Sequence, residues 1–155
     1  MTSRSGTKST TSTMDMEKIS IAQAVLDALN MHDLSKGDRS LADDYSAEVP
    51  GMPGMLNKIQ SREYNQRFLT AFPDLHFDIQ RSIVQDDYVV QHWTAAGTHT
   101  GPLVGPDGRT LSPTNRRARV SGVTINEIKQ GKVMRAWVYW DMTGLLAQLG
   151  GMPPI

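Results

Sequence analysis

The hydrophobic period of the chain changes at Phe72-Pro73-Asp74, and no other feature restricts the fold as strongly. Before this point apolar residues recur at helical spacing. Ala22, Val25, Leu26 and Leu29 mark one face of a helix predicted over 16–31 with Asp15 as its N-cap, and Tyr64, Phe68, Leu69 and Phe72 share a face of a helix predicted over 61–72. Pro73 ends that helix, because a proline has no backbone N–H to continue it. After Asp74 the pattern alternates: Leu75, Phe77 and Ile79 stand against His76, Asp78 and Gln80, which is the period of a half-buried strand. Further strands are predicted over 88–99, 116–128 and 132–140, with turns at Asp86-Asp87 and Gln130-Gly131.

The connections follow from breakers. Asp38 is positioned to cap a short helix through Leu41 to Tyr45, and Val49-Pro50-Gly51-Met52-Pro53-Gly54 forces an irregular loop. Gly101 to Thr114, with three glycines and three prolines, reads as loop. A last helix over 143–149 is stopped by Gly150-Gly151 and Pro153-Pro154. Helices followed by a run of antiparallel strands is the order of an α+β domain, with a strongly curved sheet wrapped on the N-terminal helices to leave a cone-shaped cavity. The 155 residues are enough for one domain with a core and a pocket.

The expected organisation is a disordered tail over 1–14, Ser/Thr-rich and without an apolar run, and a single domain over 15–155. No stretch approaches the ~20 apolar residues of a membrane span, and no secretory signal is expected, so the reading is a soluble cytoplasmic protein without a membrane partner. Sixteen basic residues balance sixteen acidic ones, with no basic block beyond Arg116, Arg117 and Arg119, which argues against nucleic acid as a partner. Without cysteines, thiolate chemistry is absent, and the four histidines lack metal-ligand spacing, so no metal is expected. No serine-hydrolase elbow, Walker loop or dinucleotide fingerprint occurs.

Asp141 lies where the last strand meets the last helix and admits two readings. It can cap the helix through its side chain, or act as an acid/base group at a pocket mouth. Strand alternation puts Trp137, Tyr139 and Asp141 on one face, where the aromatic rings would desolvate the carboxylate. His99, at the end of the long strand, is either a donor to a developing enolate oxygen or a histidine satisfying loop carbonyls. Asn30 and His32, at the end of the first helix, are candidates for substrate contact or for helix-end hydrogen bonds.

From about Met16 onward the chain resembles the SnoaL-like polyketide cyclases, which have the nuclear-transport-factor-2-like cone fold. The resemblance rests on Leu29-Asn30-Met31-His32-Asp33, Phe72-Pro73-Asp74, Gly97-Thr98-His99-Thr100-Gly101 and Pro113-Thr114-Asn115-Arg116-Arg117. It continues in Gly131-Lys132-Val133 leading to Trp137 and Asp141, and in Leu145-Leu146-Ala147-Gln148-Leu149-Gly150. It implies aldol-type ring closure on a polyketide without metal or cofactor, with Asp141 as acid/base; the reading of the residues adds an apolar, carbonyl-bearing substrate and His99 as a catalytic group that stabilises the enolate or shuttles a proton with Asp141. Trp137, Tyr139, Asn30, His32, Phe68, Phe72 and Thr124 would then contact substrate. Thr124 stands where characterised cyclases carry a histidine, and Asn115 where the family turn has glycine. The resemblance also implies a homodimer formed through the open sheet face, to which Val120 and Val123 would contribute. The same fold hosts dehydratases, steroid-type isomerases and epoxide hydrolases, the last needing an Asp-Arg-Asp set that Asp141 with Arg119 or Arg135 supplies in part. A ligand-binding module without turnover is a third reading.

Overall fold

A computed structural model of the chain describes residues 12–150. Helix α1 (Thr13–Asn30) is capped by Ser12, whose hydroxyl accepts from the Asp15 amide at 3.0 Å. The helix thus begins before the predicted Asp15 cap, and Thr13 and Met14 are helical; residues 1–11 of the predicted tail lie outside the described residues. A 3-10 helix (Leu34–Ser40) then leads into strand β1 (Leu41–Glu48). That strand corrects the short helix predicted over 41–45. Leu41 and Tyr45 are four residues apart, a spacing that fits one face of a helix and one face of a strand equally, and buried Ala47 continues the strand face.

Helix α2 (Lys58–Ala71) opens on a capping box: Asn57 Oδ1 accepts from the Gln60 amide and the Asn57 amide donates to Gln60 Oε1, both at 2.9 Å. Strands β2 (His76–Gln85) and β3 (Tyr88–Thr98) follow as predicted. Inside the predicted 101–114 loop, β4 (Leu103–Val104) and β5 (Thr110–Leu111) form a small hairpin. Strands β6 (Arg117–Lys129) and β7 (Lys132–Trp140) are joined through Gln130 and Gly131, both at positive φ, the geometry a two-residue hairpin turn demands. Helix α3 (Met142–Gln148) closes the described chain.

The main sheet has the order β1-β7-β6-β3-β2, open at both edges. Its last four members in that order are antiparallel to their neighbours, whereas β1 joins β7 in parallel, so the sheet is mixed rather than purely antiparallel. Register shifts at Ile79/Arg81 and Glu127/Ile128 bend the long strands, as bulges do, and curve the sheet around α1 and α2.

Two side-chain amides dock helices onto strands. Asn30 donates to the Phe77 carbonyl at 2.9 Å and accepts from the Phe77 amide at 2.8 Å, holding the end of α1 on β2. Gln148 makes the same fork with Arg119, 2.8 and 2.9 Å, holding α3 on β6. The core falls into three buried groups: one around Tyr45, Tyr64, Val89 and Ala136, one around Phe72, Ala118, Leu145 and Leu149, and one around Leu26, Leu69 and Trp93. A cavity lies between them.

Candidate functional site

The cavity has a volume of about 140 Å³. That is close to the ~150 Å³ of an apolar protein cavity able to hold benzene. Each bounding element contributes the face its sequence period prescribes. Helix α1 gives Val25, Leu26 and Leu29; α2 gives Tyr64, Phe68 and Phe72; β3 gives Gln91, Trp93 and Ala95; β6 gives Val120, Thr124 and Asn126; β7 gives Ala136, Val138 and Trp140.

Aromatic rings fix one another along the wall. Phe68 meets Tyr64 edge-on at 5.1 Å and Trp140 at 5.5 Å, while Trp140 Nε1 donates to the Tyr64 hydroxyl at 3.3 Å. Tyr64 in turn donates to the Pro50 carbonyl at 3.3 Å. Across the cavity the Trp93 indole lies over Gly122, where a Cβ would overlap the ring, and its Nε1 donates to Thr124 Oγ1 at 3.0 Å. A tryptophan laid flat on a cross-strand glycine has few other rotamers open to it.

The polar groups of the lining are neutral. Burial pushes the Tyr45 and Tyr64 hydroxyls up to about 12, against opposing contributions from Ser61 on Tyr45 and from Trp140 and Arg67 on Tyr64. Both therefore remain phenols at ordinary pH. Asn126 Nδ2 donates to the Val89 carbonyl at 3.2 Å and to Gln91 Oε1 at 3.1 Å, and both side chains are buried. Gln91 Nε2 has no hydrogen-bond partner. Apart from the two tyrosines, no titratable side chain among the described residues lines the cavity.

Of the residues singled out in the sequence, Phe68, Phe72 and Thr124 line this cavity. The others have different surroundings. Because β7 turns Ala136, Val138 and Trp140 inward, Trp137 and Tyr139 belong to the opposite face; Tyr139 is half exposed and donates to Glu48 Oε2 at 3.4 Å. They are not among the cavity-lining residues, which corrects the expectation that they contact a ligand there. Asp141 is exposed and caps α3, its Oδ1 accepting from the Gly144 amide at 2.8 Å. Its neighbours in sequence, Trp140 and Leu145, do line the cavity.

His99 is fully buried behind Phe72, ring centroids 5.3 Å apart, and lies outside the lining. The Thr114 amide donates to His99 Nδ1 at 3.2 Å, so Nδ1 carries the lone pair and the ring proton sits on Nε2. Desolvation holds the imidazole below its ordinary pKa, partly offset by the backbone of Gly101. A ring of that kind stays neutral. The backbone of the same residue bonds Arg116 and Asn115, at 2.9 and 2.8 Å, so His99 anchors the 114–116 turn. Asn115 in that turn has a φ of 60°, a conformation that glycine and asparagine tolerate best, so asparagine keeps the turn.

Asn30 and His32 also serve structure: Asn30 through its fork with Phe77, and His32, at positive φ past the helix end, through a 3.0 Å contact of Nε2 with the Leu75 carbonyl. Neither reaches the cavity lining. Val120 faces the cavity, whereas Val123, an odd number of residues along β6, faces out beside His92 and Tyr139. Arg119 and Arg135 are exposed and outside the lining, so Asp141 has no arginine partner there.

The residues that sequence reasoning missed are Tyr45, Gln91 and Asn126. Gln91 sits between Val89 and Trp93, and Asn126 between Thr124 and Ile128, each on the inward stripe of its strand. A polar residue in an otherwise apolar inward stripe was the available signal. Among the described residues no group of three or more His, Cys, Asp or Glu is gathered to hold a metal ion, and no helix is long and apolar enough to cross a membrane.

Comparison with known proteins agrees with this architecture. The family model described as SnoaL-like polyketide cyclase matches residues 19–149. Among solved structures, AclR from Streptomyces galilaeus, a candidate hydroxylase, is 25% identical with a TM-score of 0.77, covering 89% of this chain and 98% of its own. IdmH from Streptomyces antibioticus, a candidate polyketide cyclase, is 23% identical with a TM-score of 0.72, covering 86% and 98%. A candidate SnoaL-like polyketide cyclase from Jannaschia sp. CCS1 is 17% identical with a TM-score of 0.80, covering 94% and 99%. No curated protein sequence matches the chain.

Proposed function

The chain belongs to the SnoaL-like polyketide cyclase family, and from that premise we propose that it is a cofactor-independent cyclase- or isomerase-type enzyme. Its substrate is an apolar small molecule bearing a carbonyl group. The observation that carries this reading is the cavity, apolar over most of its wall and supplied with neutral hydrogen-bonding groups at Tyr45, Gln91 and Asn126. Such a wall desolvates a ketone, and donors placed where an enolate oxygen develops lower the barrier to removing the neighbouring carbon-bound proton. The proton acceptor in this reading is Asp141. Gly144 holds its Oδ1, and the carboxylate sits in sequence between the cavity residues Trp140 and Leu145. The cavity volume matches one six-membered ring, so a fused-ring substrate extends beyond it or displaces wall side chains.

A second reading, a binding module without turnover, is favoured by the absence of a carboxylate or imidazole from the cavity lining. The two readings separate in a solvent-deuterium exchange experiment with acetophenone, a ketone of about the cavity's size. The enzyme reading expects the protein to accelerate deuterium uptake at the methyl carbon next to the carbonyl, and expects Ala136→Phe, which fills the cavity, to remove the acceleration. Binding of acetophenone with no exchange above buffer overturns it in favour of the module.

A further inference from the structure

We infer that Gln91 is the residue that selects and orients the ligand's oxygen: its Nε2 donates to a carbonyl or other acceptor oxygen of the bound molecule. This rests on the cavity being the ligand site.

The Val89 carbonyl can only accept, so the atom of Asn126 that meets it at 3.2 Å is the amide nitrogen Nδ2. The same nitrogen reaches the Gln91 side chain at 3.1 Å, so the Gln91 atom facing it is the acceptor Oε1. The remaining terminal atom of Gln91 is therefore Nε2, with two N–H donors and no lone pair to offer. Gln91 is 1% exposed and lines the cavity, and its Nε2 has no partner.

A buried amide donor without an acceptor is unfavourable, and most such groups in proteins are satisfied. This one belongs to a pair whose other polar contacts hold it in a single orientation. What is missing is an acceptor, and Gln91 belongs to the cavity wall. A hydrocarbon placed there leaves the donor unsatisfied; a ketone, quinone or ester oxygen satisfies it. Discrimination by a buried donor exceeds what apolar walls achieve through shape, since a site built for a hydrogen bond rejects the analogue that lacks it.

The test compares two probes of the same shape, acetophenone and α-methylstyrene, in which a methylene replaces the carbonyl oxygen. Affinities are measured for the wild-type protein and for Gln91→Met, which keeps the length of the side chain and removes the donor. The expected result is a tenfold or greater loss of acetophenone affinity in Gln91→Met, with α-methylstyrene affinity changed less than twofold. An unchanged ratio, with both probes bound, overturns this inference and leaves the cavity reading standing; binding of neither probe to the wild-type protein overturns both. Should Gln91→Met not fold, the carbonyl stretch of acetophenone bound to the wild-type protein decides. A shift to lower frequency relative to acetophenone in hydrocarbon solvent is expected, and an unshifted band overturns the inference.

Discussion

Asp141→Asn is expected to lower the rate of protein-catalysed deuterium exchange into acetophenone by about 10²–10⁴-fold, the usual contribution of a positioned general base. It is expected to leave stability within about 0.5 kcal/mol of wild type, because asparagine is as good an N-cap as aspartate. The substitution therefore separates the two jobs that the sequence allows this residue. Its Oδ1 accepts from the Gly144 amide at 2.8 Å, and an asparagine Oδ1 makes the same bond. The basic lone pair that takes a proton is lost. Asp141→Ala removes both functions and adds a loss of about 1 kcal/mol in stability, read by denaturant unfolding. Exchange by Asp141→Asn at the wild-type rate assigns the residue to the helix cap alone.

Gly101→Ala is expected to destabilise the protein by about 3 kcal/mol, the upper part of the range for forced overpacking. That corresponds to a fall in Tm of roughly 6–12 °C for a chain of this size. A Cβ at Gly101 would overlap the Thr70 carbonyl oxygen at the end of α2, and it would meet fixed backbone rather than a side chain able to rotate away. The closeness has a purpose. The amides of Thr100 and Gly101 both donate to the Ala71 carbonyl, at 3.1 and 3.0 Å, and so terminate α2 from outside the helix. A thermal unfolding midpoint within 1 °C of wild type would contradict this account.

These contacts explain two sequence pieces that carried the family resemblance. Phe72-Pro73-Asp74 and Gly97-Thr98-His99-Thr100-Gly101 are partners in one clasp. Asp74 accepts from the Thr98 amide at 2.6 Å and from its hydroxyl at 2.8 Å, and these bonds, the amide's foremost, hold its carboxyl below the usual carboxylate range. A side chain on Gly97 would press on Phe72, and His99 packs behind that ring. The polar residues that look most like chemistry in the sequence here join the end of α2 to the sheet. His32 and Asn30 do the same at the end of α1.

Periodicity made most of the fold legible, because α1, α2, β3, β6 and β7 each bury one face and β2 half-buries Phe77 and Ile79. Strand β1 was not legible: Leu41 and Tyr45 fit both periods, and only parallel pairing with β7 decides between them. Inner and outer faces were harder still. Counting back from Asp141 puts Trp137 and Tyr139 on the side of the carboxylate, but the chain leaves the sheet at Trp140, so alternation no longer governs residue 141. The cavity side of β7 is set instead by Trp140 packing on Phe68 and Tyr64, a contact between residues far apart in the chain. Gln91 and Asn126 escaped for a similar reason, since a lone polar residue in a strand acquires meaning only when its cross-sheet neighbour is known.

In the proposed function an apolar ketone is held in the cavity, and the three tryptophans report on it independently. Trp93 and Trp140 line the cavity, whereas Trp137 is on the other face of the sheet. The measurement is a ¹⁵N–¹H titration of the three indole N–H signals with acetophenone. Saturable shifts of the Trp93 and Trp140 signals, with Trp137 unmoved, are the predicted result. A shift confined to Trp137, or no shift at any of the three, would contradict it.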